Sequence, residues 1–588
     1  MTRTAKTAFL LLAVATVGGL YVAQHLRRSD PVVLGVRRTA AFSPKGTGPT
    51  AATVSFFLKR RDTVAVTVVD GQGDEVRTLS TGRSVPAKTR VDFVWDGRTA
   101  NGKVPLDGTY RFRIGLARQG RSLTIPSGVR LDTKPATPIV TAVDPVHGNG
   151  PLILPGAAQA VGRVGGTPGY DVEGFVLRTD VVPARIVKRF PLGDRPAQIR
   201  WDGTVGGHPA ADGTYLLGIS ETDSAGNRGS APVVLTPVPG PPRGHPGVTI
   251  RHLGVAPPTG PVRPGGLLGV QVDARGHGFQ WGLKSAAGGA LLAHGKGRGT
   301  VLRLRVPNKA RGLLTLAVVG NGRRVEVPVA VTNGGHGLLV VLPAIRWQAV
   351  APVDGNGDGL PDLLTMGRPV GLARVLPRLH GGLAGLNSEV KPLLAILRAE
   401  RIPFDLTTDI AVAANRGPRL EAHTGVVFAG EETWLPASTL QRIRSSVMKG
   451  TNVLDLGLNS LRQTIEIRAG VASKPSLPSS ADVLGGIRTP ASKEATDLLV
   501  WKDTLGLFST TGGSIFAGIG WTGTASVKAP GKLASAAGPQ SGIAGIAAWR
   551  LGRGVVIRPG VPSGAEVAQS SPTMLALISK ALSITAAR

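Results

Sequence analysis

The sequence predicts a multidomain chain in which all-β sandwiches come first and an α/β domain with a mostly parallel sheet comes last. Three observations carry this. A signature occurs twice, as Trp95-Asp96-Gly97 with Asp107-Gly108-Thr109-Tyr110 and as Trp201-Asp202-Gly203 with Asp212-Gly213-Thr214-Tyr215. Apolar residues alternate with period two along much of the chain before Asn333-Gly334-Gly335. After that tripeptide, short wholly apolar runs alternate with amphipathic segments, the pattern of buried parallel strands connected by helices.

The N-terminal segment, residues 1–30, is set apart. Ala8 to Ala23 is an uncharged run with Arg3 and Lys6 before it and Arg27-Arg28 after it. It reads as a signal anchor or a signal peptide. A spanning helix needs about 20 apolar residues, so the run is short for a span and long for a signal core. Cleavage at Ala13-Val14-Ala15 would leave a very short apolar core, which favours the uncleaved anchor. The expected location is the cell membrane, with a single N-terminal anchor and the bulk of the chain extracellular; secretion is the alternative.

Residues 31–135 form the first sandwich. Val54/Phe56/Leu58, Val64/Val66/Val68, Val91/Phe93/Trp95 and Tyr110/Phe112/Ile114 each place one face inward. Asp70-Gly71, Asp96-Gly97, Asn101-Gly102 and Asp107-Gly108 supply turns at residues that tolerate positive φ. The joint Lys134-Pro135-Ala136-Thr137-Pro138 opens a second sandwich, 136–242, closed by Pro237-Val238-Pro239-Gly240-Pro241-Pro242, a semi-rigid spacer. A third β-domain, 243–333, follows from Leu302/Leu304/Val306, Leu314/Leu316/Val318 and Val325/Val327/Val329/Val331. The Trp-Asp-Gly…Asp-Gly-Thr-Tyr pattern resembles the Ig-like domain of flagellar hook-capping proteins and many bacterial surface proteins. The resemblance implies a structural or spacer module.

In residues 334–588, strands are expected at 337–343, 425–430, 452–457 and 554–558, and helices at 388–401, 436–449 and 571–585. Val390, Leu393, Leu394 and Leu397 share one helix face. The segments LVVLPAIRWQAVAPVDGNGDGLPD, FDLTTDI and VVFAGEETW resemble the C-terminal domain from the large chain of N,N-dimethylformamidase and its actinobacterial relatives. That family is similar to class I glutamine amidotransferases, so the resemblance implies a flavodoxin/glutamine-amidotransferase-like sheet.

Composition limits the chemistry. Lys and Arg outnumber Asp and Glu by 68 to 37, a net charge of +31, so anionic partners are favoured. No helix-turn-helix, zinc-finger or RNA-recognition motif is present and the basic residues are dispersed, which argues against nucleic acid. An anionic cell-envelope polymer or lipid surface is the expected partner. With no Cys, disulfides, lipoprotein attachment and thiolate catalysis are excluded.

The loop Asp354-Gly355-Asn356-Gly357-Asp358-Gly359-Leu360-Pro361-Asp362 spaces oxygen ligands as a Ca²⁺ loop does. Asp354, Asn356, Asp358 and Asp362 would ligate through side chains and Leu360 through its carbonyl, in a structural role. Thr365 stands where an EF-hand has its bidentate Glu. A polar surface turn is the alternative. Glu431 and Glu432, after an apolar strand, are the candidate catalytic carboxylates, as a general base or metal ligands; solvated acids near a helix N-terminus are the plainer reading. The dimethylformamidase resemblance implies an iron held by Tyr and Glu, yet Tyr21, Tyr110, Tyr170 and Tyr215 all precede this domain. Asp405, Asp409 and His423 lie nearby without zinc-site spacing. Ser460 follows a strand and is expected to cap a helix or stand exposed. Gly518-Ile519-Gly520-Trp521-Thr522-Gly523 matches a dinucleotide pattern without a helix to follow it. Trp95 and Trp201 are expected as buried anchors rather than carbohydrate platforms.

The expected function is a membrane-anchored surface protein whose Ig-like stalk presents a non-catalytic, amidotransferase-like head for binding or envelope structure. An extracellular metal-dependent amide or ester hydrolase and a carbohydrate-binding adhesin are the alternatives.

Overall fold

The structure is a computed structural model that describes residues 12–20, 32–144, 152–154, 160–166, 170–193, 198–231, 247–335, 337–487, 496–521, 532–538 and 544–587. Of the expected anchor only 12–20 is described, as a helix with Leu12, Val14, Val17 and Leu20 exposed. Among the described residues no helix is long and apolar enough to cross a membrane.

The first sandwich packs a three-stranded sheet (Val33–Arg38, Ala52–Leu58, Arg90–Trp95) on a six-stranded one that includes Asp62–Val69 and Gly108–Leu116. All four predicted inward rows are buried in its core. The Trp-Asp-Gly signature sets the corner. Trp95 Nε1 donates to the Arg98 carbonyl at 2.8 Å, and the Asp96 carboxylate accepts the Arg98 amide at 3.0 Å. The Tyr110 hydroxyl donates to the Leu106 carbonyl, and its ring lies edge-on to Trp95 at 4.9 Å. The second copy repeats each contact. Trp201 Nε1 donates to Thr204 O, Asp202 accepts the Thr204 amide, and Tyr215 donates to Ala211 O with its ring 5.1 Å from Trp201. Both Trp side chains are buried, so neither serves as a stacking platform.

The register shows where the second sandwich ends. In the first, Gly108 and Tyr110 pair with Leu131 and Val129. In the second, Gly213 and Tyr215 pair in the same way with Ile250 and Val248. The strand Gly247–Ile250 therefore completes the second sandwich, although it lies beyond the Pro-rich segment that set the expected boundary at 242. That segment falls outside the described residues. The third β-domain packs a sheet of Gly254–Val255, Leu267–Asp273 and Val301–Arg305 against a four-stranded sheet of Phe279–Ser285, Leu291–Gly297, Gly312–Gly320 and Arg323–Val331.

The C-terminal domain is built on one nine-stranded sheet. Its strands are β1 (Leu338–Leu342), β2 (Phe404–Thr408), β3 (Gly425–Phe428), β4 (Asn452–Asp455), β5 (Thr496–Asp503), β6 (Ile515–Ile519), β7 (Lys532–Ala537), β8 (Ala544–Leu551) and β9 (Gly554–Pro559). The spatial order is β2-β1-β3-β4-β9-β8-β7-β5-β6. The first five strands in this order pair in parallel and the remaining pairings are antiparallel. The mostly parallel sheet expected from sequence is thus corrected to a mixed one. β5 to β8 were not expected as strands from the sequence, although β8 is buried from Ala544 to Trp549 and Leu498 of β5 and Phe516 of β6 also enter the core. Helices α1 (Ala344–Ala349), α2 (Lys391–Ala399), α3 (Asp409–Ala413), α4 (Ala437–Met448), α5 (Gly564–Val567) and α6 (Pro572–Ala586) accompany the sheet. The predicted face of Val390, Leu393, Leu394 and Leu397 is buried in its core.

The third β-domain and the C-terminal domain share a core, because Leu313 and Ala330 join the cluster around β1. Asp405, at the amino end of β2, fixes the chain between them by accepting from the Thr332 hydroxyl at 2.7 Å and the Asn333 amide at 3.0 Å.

Candidate functional site

In a parallel sheet the strand order reverses where consecutive connections leave in opposite directions, and the crevice beyond the carboxyl ends opens there. Here that point lies between β1 and β3. β1 leads through Pro343 into α1, and β3 leads through Ala429-Gly430 into Glu431 and Glu432. A side chain at Gly430 would place its Cβ 2.5 Å from Glu389 Oε2 and 3.1 Å from Pro343 Cγ, so a larger residue there would displace the Glu389 carboxyl.

Glu431 is paired with Arg346 of α1, and its other oxygen accepts from Asn459 Nδ2 at 3.2 Å. Glu432 is fully buried, and neither of its carboxyl oxygens has a hydrogen-bond partner. This overturns the reading of Glu432 as a solvated acid. Burial, then the neighbouring carboxylates of Asp409, Asp455 and Glu389, push its carboxyl well above the usual range. Asp409, at the carboxyl end of β2, accepts the Ile345 and Ile410 amides through Oδ1 at 2.9 and 2.8 Å, while Oδ2 is unpartnered. Burial pushes it up to about 8. Glu389 is raised for the same reason, with Arg346 acting against the shift. The site is therefore a group of largely buried carboxyls around one guanidinium, in which burial favours the protonated forms of Glu432 and Asp409.

The other candidates separate. Ser460 is buried, not exposed and not at a helix: it donates to the Gly430 carbonyl at 3.0 Å and accepts the Glu432 amide at 3.2 Å, so it positions the turn. Asp455 is bound to Arg558, which also holds Asp482, and all of these are out of solvent. Asp405 and His423 meet at 3.7 Å, but at the amino ends of the strands, remote from Asp409 along β2. The dinucleotide-like glycines run from edge strand β6 past Trp521 to residues outside the described set. Sequence reasoning did not single out Arg346, although it lies in the quoted segment after β1, or Glu389, at the start of the expected helix 388–401. Only the meeting of α1 with the turn after β3 makes them neighbours.

A cleft of about 630 Å³ opens nearby, lined by Ile410 of α3, Pro436 ahead of α4, Leu372 and Ile465.

The loop from Asp354 to Asp362 lies elsewhere and does other work. Asp354 accepts the amides of Asn356, Gly357 and Gly359, Asp358 accepts that of Leu360, and Asp362 that of Gly355. Asn356 Nδ2 donates to Asp358. The Arg368 guanidinium pairs with Asp358 and Asp362. Arg368 thus places a positive charge against Asp358 and Asp362, in the position where a cation loop would need one. Among the described residues no cluster of three His, Asp or Glu side chains is disposed to hold a metal. Leu360, expected to lend a carbonyl, packs its side chain on Phe175, Leu177 and Leu216 of the second sandwich. The loop is a plug between domains.

The family model of the FlgD Ig-like domain matches residues 41–120, the first sandwich. No curated protein matches the chain. Among solved structures, the chain is similar to one concerned with host cell surface retention of a 1.5-MDa bacterial ice-binding adhesin, at 11% identity and a TM-score of 0.21, over 51% of this chain and 97% of that one. It is also similar to the fibronectin(III)-like modules of Clostridium thermocellum CbhA, at 13% identity and a TM-score of 0.18, over 37% of this chain and 93% of that one. Residues 41–120 are thus similar to the FlgD Ig-like domain and lie within a series of sandwiches, an architecture that fits a surface protein.

Proposed function

We propose that this is a membrane-anchored cell-surface protein in which Ig-like sandwiches form a stalk and the C-terminal domain is a binding head held against an anionic cell-envelope polymer or lipid surface. The observation that carries the reading is the series of sandwiches joined by direct contacts. Thr47 donates to Gly226 O across the first joint, Asn227 Nδ2 donates to Asp132 O at 2.9 Å, and the Asp354 loop plugs the second. A stalk so joined holds its head at a set distance, and the net charge of +31 selects anionic partners. The anchor is the run Ala8 to Ala23. The head's parallel strands lie in the order β2-β1-β3-β4-β9, which, with β9 counted as the fifth parallel strand, is the 2-1-3-4-5 order of doubly wound domains and supports the amidotransferase-like reading. With no Cys available, the thiolate chemistry of class I amidotransferases is closed to the head, and we read it as a binding domain. The test is retention of the purified protein on anionic wall polymer across a salt series. Steep loss with salt is expected, and salt-independent retention would sink the electrostatic reading.

One observation favours a second reading, an amide or ester hydrolase. Glu432 is a carboxyl beyond the carboxyl end of β3 whose hold on its proton is raised by burial, and it would act as the proton donor to a leaving group once a substrate opened access to it. Hydrolysis of amide or ester substrates that Glu432→Gln abolishes would establish it; activity unchanged in that variant would remove Glu432 from it.

A further inference from the structure

We propose that the cleft at the carboxyl ends of β1 to β4 binds a small amphiphilic anion: a carboxylate or phosphate monoester carried on an apolar body. Its position comes first. The wall is drawn from segments that follow each of the first four strands: Leu372 after β1, Ile410 after β2, Pro436 after β3 and Ile465 after β4. Convergence of these four connections at the carboxyl ends is the arrangement in which α/β sheets hold ligands. At about 630 Å³ the cleft has the volume of a small-molecule site.

The lining then decides the chemistry. Its walls are aliphatic, and its charges are Arg416, Arg468 and Glu466. Glu466 is already satisfied, by Arg468 at 3.0 Å and by Lys474 at 2.9 Å. Arg416 forms no ion pair among the described residues, so the cleft retains an uncompensated cation. The twelve-residue helix α4 opens onto it through Pro436 and Ser438, and Pro436 provides no side-chain cap. The first intrahelical bonds there are made by the Thr439 and Leu440 amides to Pro436 O, which leaves the Ala437 and Ser438 amides without an acceptor in the helix. Free amides at a helix start and a nearby guanidinium form a cradle for one anionic group, and the aliphatic walls accept the body behind it. Glu432 and Asp409 are buried and do not line this cleft.

This inference does not depend on the surface-display reading, and its test uses no envelope material. Octyl phosphate, octanol and inorganic phosphate are titrated calorimetrically into the full chain, with each probe below its aggregation limit. Octyl phosphate is expected to saturate a single site and to bind more tightly than octanol or phosphate alone. Arg416→Gln should weaken octyl phosphate by about tenfold or more while leaving octanol nearly unchanged. Ala414→Trp, at the cleft wall, should weaken both. Arg416 and Ala414 are exposed, so both variants should melt as the parent does; if Ala414→Trp does not fold, Arg416→Gln alone decides. Equal binding of octyl phosphate and octanol, or unchanged octyl phosphate binding in Arg416→Gln, overturns the proposal. Vesicles of phosphatidylglycerol separate the two sources of such an anion: Arg416-dependent capture points to a lipid headgroup, and capture indifferent to Arg416 beside Arg416-dependent octyl phosphate binding points to a free ligand.

Discussion

Thr179 of the second sandwich donates its hydroxyl to the carbonyl of Gly359 at 2.6 Å, and the bond is buried between the stalk and the loop that plugs it. Around it the backbones touch. A Cβ on Gly359 would lie 2.0 Å from Leu216 Cδ2, and one on Gly247 would lie 2.2 Å from the Gly359 nitrogen. The loop read from sequence as a cation site is therefore shaped for contact with another domain. Thr179→Val should cost about 1–2 kcal/mol, since Gly359 O loses its buried donor. Gly359→Ala should cost more, because it adds strain at a φ of +80° to the clash with Leu216. Denaturant unfolding, with proteolysis between stalk and head as the local readout, measures both.

Removing Arg368 tests the charge balance of the same loop. Arg368→Ala leaves Asp358 and Asp362 buried beside Asp354, whose carboxyl burial has already pushed up to about 7. Asp362 keeps Arg374 at 3.9 Å while Asp358 loses the only guanidinium paired with it among the described residues, so a loss of about 3 kcal/mol is expected. Calcium added to the parent should leave its melting temperature unchanged, because Arg368 already supplies the positive charge. A calcium-dependent rise that Asp358→Asn removes would restore the loop as a cation site.

The head should lose stability as pH rises. Asp409 holds its proton to about pH 8 when folded, against a reference value of 3.8, and Glu432 is raised in the same direction. Between these values the unfolded chain binds fewer protons than the folded one, so stability falls from about pH 4 to about pH 8. Asp409→Asn, which keeps an acceptor for the Ile345 and Ile410 amides, should flatten this slope. Melting temperatures of parent and variant across that range decide it, and a parallel pair of curves would contradict the assignment.

The repeated corner sets stalk stability. Trp95→Ala should cost about 3–5 kcal/mol and unfold the first sandwich, since the ring is fully buried against Phe42 and Tyr110. Tyr110→Phe keeps the ring and removes only the bond to Leu106 O, a loss of about 1 kcal/mol. The same pair of changes at Trp201 and Tyr215 should give the same ranking in the second sandwich, read by urea unfolding.

What the sequence determined was local and periodic. Alternation placed Val64, Val66, Val68 and Trp95 in a core, and Asp-Gly turns fixed the hairpins around them, because period and turn chemistry act over a few residues. The apolar runs of β1, β3, β4 and β9 and the buried face of α2 were legible for the same reason. Tertiary structure decided what depends on distant segments meeting. Gly247–Ile250 belongs to the second sandwich only through its register with Gly213 and Tyr215. β5 to β8 join the sheet through antiparallel pairings whose partners their apolar residues do not specify. Glu431 and Glu432 are adjacent in sequence, yet one is paired with Arg346 and the other is buried without a partner. That difference is set by desolvation and by which carboxylates and guanidinia fold around each side chain, quantities that exist only once the chain has closed around them.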